Sequence, residues 1–263
     1  MENNTNRRRL IIILVYAIIF SAIALIIYLI QSPDPTCSDG KQNQRERGVD
    51  CGGPCSPCKD VTETKDLSVE EVKFLLVEDN TYDIVAKVSN PNNSFGAGTF
   101  KYVFNLKNET GASVGTSEGT SFILPADTRY VAKIGVTTSG GSIPTSAEFS
   151  ISDVKWETLE GISKPQIGVY GKNFGIDPSG IGSKVEGTIR NESTYDLKKI
   201  EVVIVLRDER GDVIGINTTQ RDSIRAKEQQ NFQVTWPTAI EENVQKIEID
   251  PQTNVFDSQN LSI

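Results

Sequence analysis

The stretch NETGASVG at 108–115 returns as DERGDVIG at 208–215, 100 residues later and in the same register. The likeness spreads in both directions. Phe104, Leu106, Leu124, Ala126 and Ile134 correspond to Ile204, Leu206, Ile224, Ala226 and Val234, and KVSNPN near Val88 answers TIRNES near Ile189. A period near 100 residues is too long for a solenoid and suits tandem domains. Such a chain is expected to fold one architecture twice.

Each copy reads as β-structure. In FKYVFNLK the residues Phe100, Tyr102, Phe104 and Leu106 alternate with Lys101, Val103, Asn105 and Lys107, the period-two pattern of a strand with one buried face. QNFQVTW repeats it with Phe232, Val234 and Trp236 on one side. IEVVIVL departs from it, because Val203 and Val205 add apolar groups to the second face; that strand is expected to be central or covered on its outer side. Asn108 and Asp208 open four-residue segments that Gly111 and Gly211 close, the residue choice of a type I turn in a hairpin. Strands spaced 8 to 12 residues apart, about 95 residues per copy and no amphipathic helix predict two antiparallel β-sandwiches of immunoglobulin type. Neither copy contains a cysteine, so each is held by its core alone.

The second copy, from VEGTIRNESTYDLKKIEVVIVLRDERGDVIG to FQVTW, resembles the small sandwich domain called FxLYD of bacterial and archaeal cell-envelope proteins. Its motif falls on Ile204, Leu206, Arg207 and Asp208, and in the first copy on Phe104, Leu106, Lys107 and Asn108; neither copy matches fully. The resemblance spans roughly 160 residues. It implies the sandwich fold and brings no catalytic site with it.

Upstream, Leu10 to Ile30 carries no charge. Twenty-one helical residues span about 31 Å, the thickness of a hydrocarbon core. The fifteen Ile, Leu, Val and Phe residues among them sum to roughly −7 kcal/mol for insertion. A single transmembrane helix is predicted. Arg7, Arg8 and Arg9 precede it and no base follows in QSPDP, so residues 1–9 are expected in the cytoplasm and the remainder outside the membrane. The rival reading is a cleaved signal peptide at Ala22-Ile23-Ala24, but the apolar run continues past that point for longer than an ordinary leader. Ala17, Ser21 and Ala24 share one helical face and offer a small-residue surface for homodimer formation through the helix.

All four cysteines, Cys37, Cys51, Cys55 and Cys58, lie in a short polar segment that follows. Outside the cytoplasm such a segment reads first as two disulfides, with three pairings open. The spacing C-x13-C-x3-C-x2-C lacks the paired knuckles of structural zinc, and the polar KDVTETKD after Cys58 does not resemble the helix that activates a redox thiol. Asp39, Asn43, Glu46 and Asp50 supply oxygens at short intervals and make calcium a candidate ligand, although Lys41 and Gln44 break the EF-hand pattern and four bases nearly balance the acids. The segment also resembles a recurrent module of exported proteins, C-x-D-G-x-x-N-x-x-E-x-G-V-D-C-G-G-x-C-x-x-C, matched from Cys37 to Cys58. That resemblance implies a compact extracellular spacer.

The predicted organisation is therefore a cytoplasmic tail at 1–9, a transmembrane helix at 10–30, a Cys-rich module and linker at 31–65, and sandwiches at 66–160 and 161–263. Net charge is −8, and since residues 1–9 contribute +2 the rest carries −10, which argues against nucleic acid as a partner. The chain has no histidine, which removes Ser-His-Asp and Cys-His catalysis. GKNFG lacks the hydroxyl and upstream glycine of a phosphate loop, and the acid pairs Asp208-Glu209 and Glu241-Glu242 suit solvated turns. The expectation is a non-enzymatic, cofactor-free protein of the cell membrane that presents two sandwiches for protein or glycan contact. The alternatives are a structural subunit of an envelope or secretion assembly and calcium-dependent adhesion through the Cys-rich loop. Five sequons in the part expected outside the membrane begin at Asn92, Asn108, Asn191, Asn217 and Asn260.

Overall fold

The computed structural model describes residues 2–31, 37–38, 42–43, 45–56, 58, 64–159, 161–178 and 180–262, with α1 side chains described from Ile11 to Leu25. The chain divides into two compact units, Met1–Thr62 and Glu63–Ile263.

In the first unit a helix, α1, runs Glu2–Gln31 and covers the whole uncharged stretch. Every described α1 side chain is exposed, Ile13 and Phe20 at 64% and 69%. Among the described residues no helix is long and apolar enough to cross a membrane; the described side chains stop at Leu25, five residues short of the end of the expected span. The cysteines pair first with third and second with fourth, Cys37–Cys55 and Cys51–Cys58. Closing short loops in this way removes chain entropy from the unfolded state, at about 2–4 kcal/mol per bridge. An isolated antiparallel bridge between Gly48 and Cys51 is the nearest this segment comes to a sheet among its described residues.

Among its described residues the second unit is built from strands, with two short 3-10 turns. The first copy contributes β1 (Ser68–Glu78), β2 (Thr81–Ser89), β3 (Gly96–Lys107), β4 (Ser113–Ile123), β5 (Thr128–Thr137) and β6 (Ser146–Glu157). The second contributes β7 (Ile167–Ile176), β8 (Ser183–Asn191), β9 (Asp196–Arg207), β10 (Val213–Ile224), β11 (Gln229–Trp236) and β12 (Lys246–Gln252), with a short β13 (Leu261–Ser262) added on β9. All pairings are antiparallel, in the orders β1-β2-β5 and β4-β3-β6, then β11-β8-β7 and β10-β9-β12.

The duplication holds to the residue. Phe104 lies opposite Ser117 and Phe149, and Ile204 opposite Asn217 and Ile249, each partner displaced by 100. In each copy the two sheets close on one core, because the alternating strands turn their apolar side inward. Phe100, Phe104 and Leu106 are fully buried in the first, with Phe104 and Phe149 rings 4.7 Å apart. Ile204, Leu206, Phe232 and Trp236 are buried in the second. The expected hairpins form. Gly111 N–H donates to Asn108 O at 2.9 Å and Gly211 N–H to Asp208 O at 3.1 Å, and both glycines adopt the left-handed φ that closes such a turn, +79° and +84°.

A buried asparagine pins each sandwich at the same place. Asn90 Nδ2 donates to Phe95 O and Leu124 O at 2.7 and 2.9 Å, and its Oδ1 accepts from Asn92 N–H. Asn191 Nδ2 donates to Tyr195 O and Ile224 O at 2.8 and 3.1 Å, and its Oδ1 accepts from Ser193 N–H. Loop backbone that no strand pairs is satisfied by one side chain.

The extra apolar face of β9 has a cover, and the cover is the other copy. Val203 and Val205 pack with Val213 and Ile216 against Leu75, Val85, Tyr130 and Ala132 of β1, β2 and β5. The outer face of β1-β2-β5 thus seats on the outer face of β10-β9-β12, and the four sheets stack as one body. Burying Val205 completely is worth about 1.5–3 kcal/mol.

Candidate functional site

Several charged groups are drawn inside the second unit at the junction between the copies. At one end Arg207, the last residue of β9, is bound from two sides. Its Nη2 and Nη1 donate to Glu71 Oε2 and Oε1 at 2.6 and 3.1 Å, and its Nε donates to Glu248 Oε2 at 2.8 Å. Tyr130 OH donates to Glu248 at 2.8 Å and accepts from Arg207 Nη2 at 3.2 Å. Glu71 and Tyr130 belong to the first copy, Arg207 and Glu248 to the second. The hydrogen bonds from Arg207 hold the Glu71 carboxyl below its usual range. Burial pushes Glu248 up, but hydrogen bonds from Lys246, Arg207 and Tyr130 outweigh it and bring the carboxyl down to about 2. Burial raises the Tyr130 phenol to about 12.

Further along the same junction lies a cleft of about 280 Å³. One wall is Thr120 and Ser121 of β4 with Arg129 and Tyr130 of β5; the other is Glu201 of β9 with Thr218 and Gln220 of β10. The register explains the second wall. Glu201 stands opposite Gln220 and Val203 opposite Thr218, so these side chains share the β9–β10 face that carries Val203 toward the first copy. Tyr102 reaches the cleft from the first core, its ring packed against those of Phe104 and Phe149. It does so past Gly119, where a Cβ would stand 2.6 Å from the Tyr102 hydroxyl.

Arg129, in the first of these walls, is 3% exposed. It donates through Nη1 to Phe122 O at 2.7 Å and through Nη2 to Glu201 Oε2 at 3.2 Å, and its guanidinium lies 4.1 Å above the Phe122 ring. Its Nε is buried without a partner among the described residues. A buried donor left unmatched costs about 1–3 kcal/mol. Lys199 holds the other Glu201 oxygen at 3.1 Å. Behind them Asp250 accepts from Tyr130 N–H at 2.7 Å, and burial pushes its carboxyl up. Burial likewise raises the Tyr102 phenol, while Arg129 lowers it and Glu201 raises it.

None of these cleft residues was singled out in the sequence as a site, since they come from five strands scattered between positions 102 and 220 and carry no motif. Of the residues that were, the cysteines meet as two bridges. Glu46 is buried and turned inward: its Oε2 accepts from Asn43 N–H and Asp50 N–H, both at 3.2 Å, and the Cys55 sulfur lies 3.2 Å from Oε1. The loop is thus wrapped around the Glu46 carboxylate, with Asn43 and Asp50 offering it backbone donors. Cys37, Glu46 and Cys55 are close enough to share a metal, but the two sulfurs are bonded to each other and offer no thiolate. Asp39 and the side chains of Arg7, Arg8 and Arg9 lie outside the described residues. No family model matches the chain, and no curated protein matches its sequence. The likeness to FxLYD domains and to the Cys-rich module rests on the motif residues alone.

Proposed function

We propose that the chain is a non-enzymatic protein of the cell membrane, anchored once by the Leu10–Ile30 stretch with residues 1–9 in the cytoplasm. Its stapled module and fused pair of immunoglobulin-like sandwiches of FxLYD type are held outside for contact with a glycan or protein. The observation that carries this reading is α1: a continuous helix over the whole uncharged stretch, with apolar side chains from Ile11 to Leu25 exposed to their surroundings. In water that surface is unfavourable at about 25 cal/mol per Å², whereas lipid covers it without loss. The disulfides add support, because exported segments keep such bridges and cytosolic ones lose them. The absence of histidine from the sequence supports the non-enzymatic role.

The test is carbonate extraction and protease protection of the full chain tagged at its N-terminus. Retention in the membrane pellet, with the tag shielded and the sandwiches open to outside protease, is the expected result. Release by carbonate, or a tag cleaved from outside, would overturn the anchor and its orientation respectively.

A further inference from the structure

We infer that the cleft between the copies binds one neutral hexose unit of a glycan, a choice that rests on the contact role proposed above and narrows it. Size sets the first limit. At about 280 Å³ the cleft lies just below the roughly 300–1,000 Å³ usual for drug-sized ligands, room for a single sugar ring and little more.

Charge sets the second. Arg129 is matched by Glu201 at 3.2 Å, Glu201 by Lys199 at 3.1 Å, and Asp250 stands behind the pair. An anion entering here meets Glu201, and a cation meets Arg129. A neutral ligand meets neither penalty.

The hydrogen-bonding inventory then favours a polyol. Arg129 only donates, Glu201 only accepts, and the hydroxyls of Thr120, Ser121 and Thr218 do both. Adjacent sugar hydroxyls, each donor and acceptor at once, complement a fixed donor beside a fixed acceptor. The buried Arg129 Nε has no partner among the described residues. Val131, Ala132 and Val203 supply apolar lining against which the C–H face of a ring can rest. The cleft takes Tyr102, Thr120 and Arg129 from the first copy and Glu201, Val203 and Thr218 from the second, so it belongs to the junction and not to either copy alone.

The experiment is saturation-transfer NMR and titration on the full chain in phosphatidylcholine nanodiscs. The probes are methyl glycosides of glucose, galactose and mannose, with methyl glucuronoside as the anionic comparison. At least one neutral glycoside is expected to bind saturably and methyl glucuronoside at least tenfold more weakly. Thr218→Val and Glu201→Gln should each raise the Kd of the neutral ligand at least tenfold, with Thr116→Val, outside the cleft on β4, within twofold of the unmodified chain. Glu201→Gln should also narrow the gap to the glucuronoside, because Arg129 loses its counter-charge. No binding of any neutral glycoside, equal or tighter binding of the glucuronoside by the unmodified chain, or a Thr218→Val variant within twofold would each overturn the inference. Membrane extraction of the same preparation separates the two readings, since an anchored, outward-facing chain that ignores every hexoside defeats only this one.

Discussion

Arg207 of the second copy and Glu71 of the first meet as a two-pronged ion pair, 2.6 and 3.1 Å long, across the seam that joins two sandwiches encoded 100 residues apart. Both side chains are largely buried, at 12% and 24% exposure. Arg207 occupies the motif position where the first copy has Lys107. The duplicated position thus took on a different task in each copy, since Lys107 pairs within its own sandwich, with Glu148 at 2.5 Å.

Removing one partner of this pair should destabilise the fused body. Glu71→Ala leaves the guanidinium with two unmatched donors, and urea unfolding is expected to show a loss of about 1.5–3 kcal/mol. A double-mutant cycle with Arg207→Met should return a coupling of at least about 0.5 kcal/mol. Additive effects would mean that the pair does not hold the seam.

Acid should loosen the same seam. Glu248 sits at about 2 in the folded chain against an ordinary 4.5, so its contribution is complete above about 4.5 and fades as pH falls toward about 2. Glu71, also lowered, acts in the same direction, whereas Asp83 and Asp250, raised by burial, are relieved on acidification and oppose it. The stability gap between the unmodified chain and Glu248→Gln isolates the first effect. It is expected to shrink from about pH 5 to about pH 2.5; a constant gap counts against it.

Asn191→Ala strips partners from Tyr195 O, Ile224 O and Ser193 N–H at once. A loss of about 3–5 kcal/mol is expected. Asn90→Ala should behave alike, while Glu118→Ala on an exposed strand position should stay within about 0.5 kcal/mol. Equal effects at all three positions would refute the twin-clamp reading.

Peptide mapping without reduction should recover Cys37–Cys55 and Cys51–Cys58 and neither of the other pairings. Because the second unit contains no cysteine, reducing the chain should leave its unfolding midpoint where it was.

The sequons divide by burial. Asn92 and Asn191 are buried and hydrogen-bonded through Nδ2, whereas Asn108 sits in an exposed turn and uses only Oδ1, which accepts from Thr110 and Ala112. Expression through a glycosylating secretory route should give occupancy at Asn108 and none at Asn92 or Asn191, read by glycopeptide mass spectrometry. Sugar on Asn191 would require that sandwich to open.

Strand alternation in FKYVFNLK, the Asx-to-Gly turns and the 100-residue repeat are local or self-referring signals, and the sequence alone carried them to sheets, hairpins and two matching cores. It also marked Val203 and Val205 as a second apolar face in need of cover. It could not say what covers them, because facing surfaces are matched by shape and not by spacing. Asn90 and Asn191 were visible as repeated letters, but their role depends on carbonyls up to 34 residues away that only folding brings near. Arg207 was legible as a departure from a motif, and its partner Glu71, 136 residues upstream, was not. The cleft is the clearest case. Tyr102, Arg129, Glu201 and Thr218 converge because two sheets, each specified by its own period-two pattern, stack through their outer faces, and that stacking is decided by tertiary packing alone.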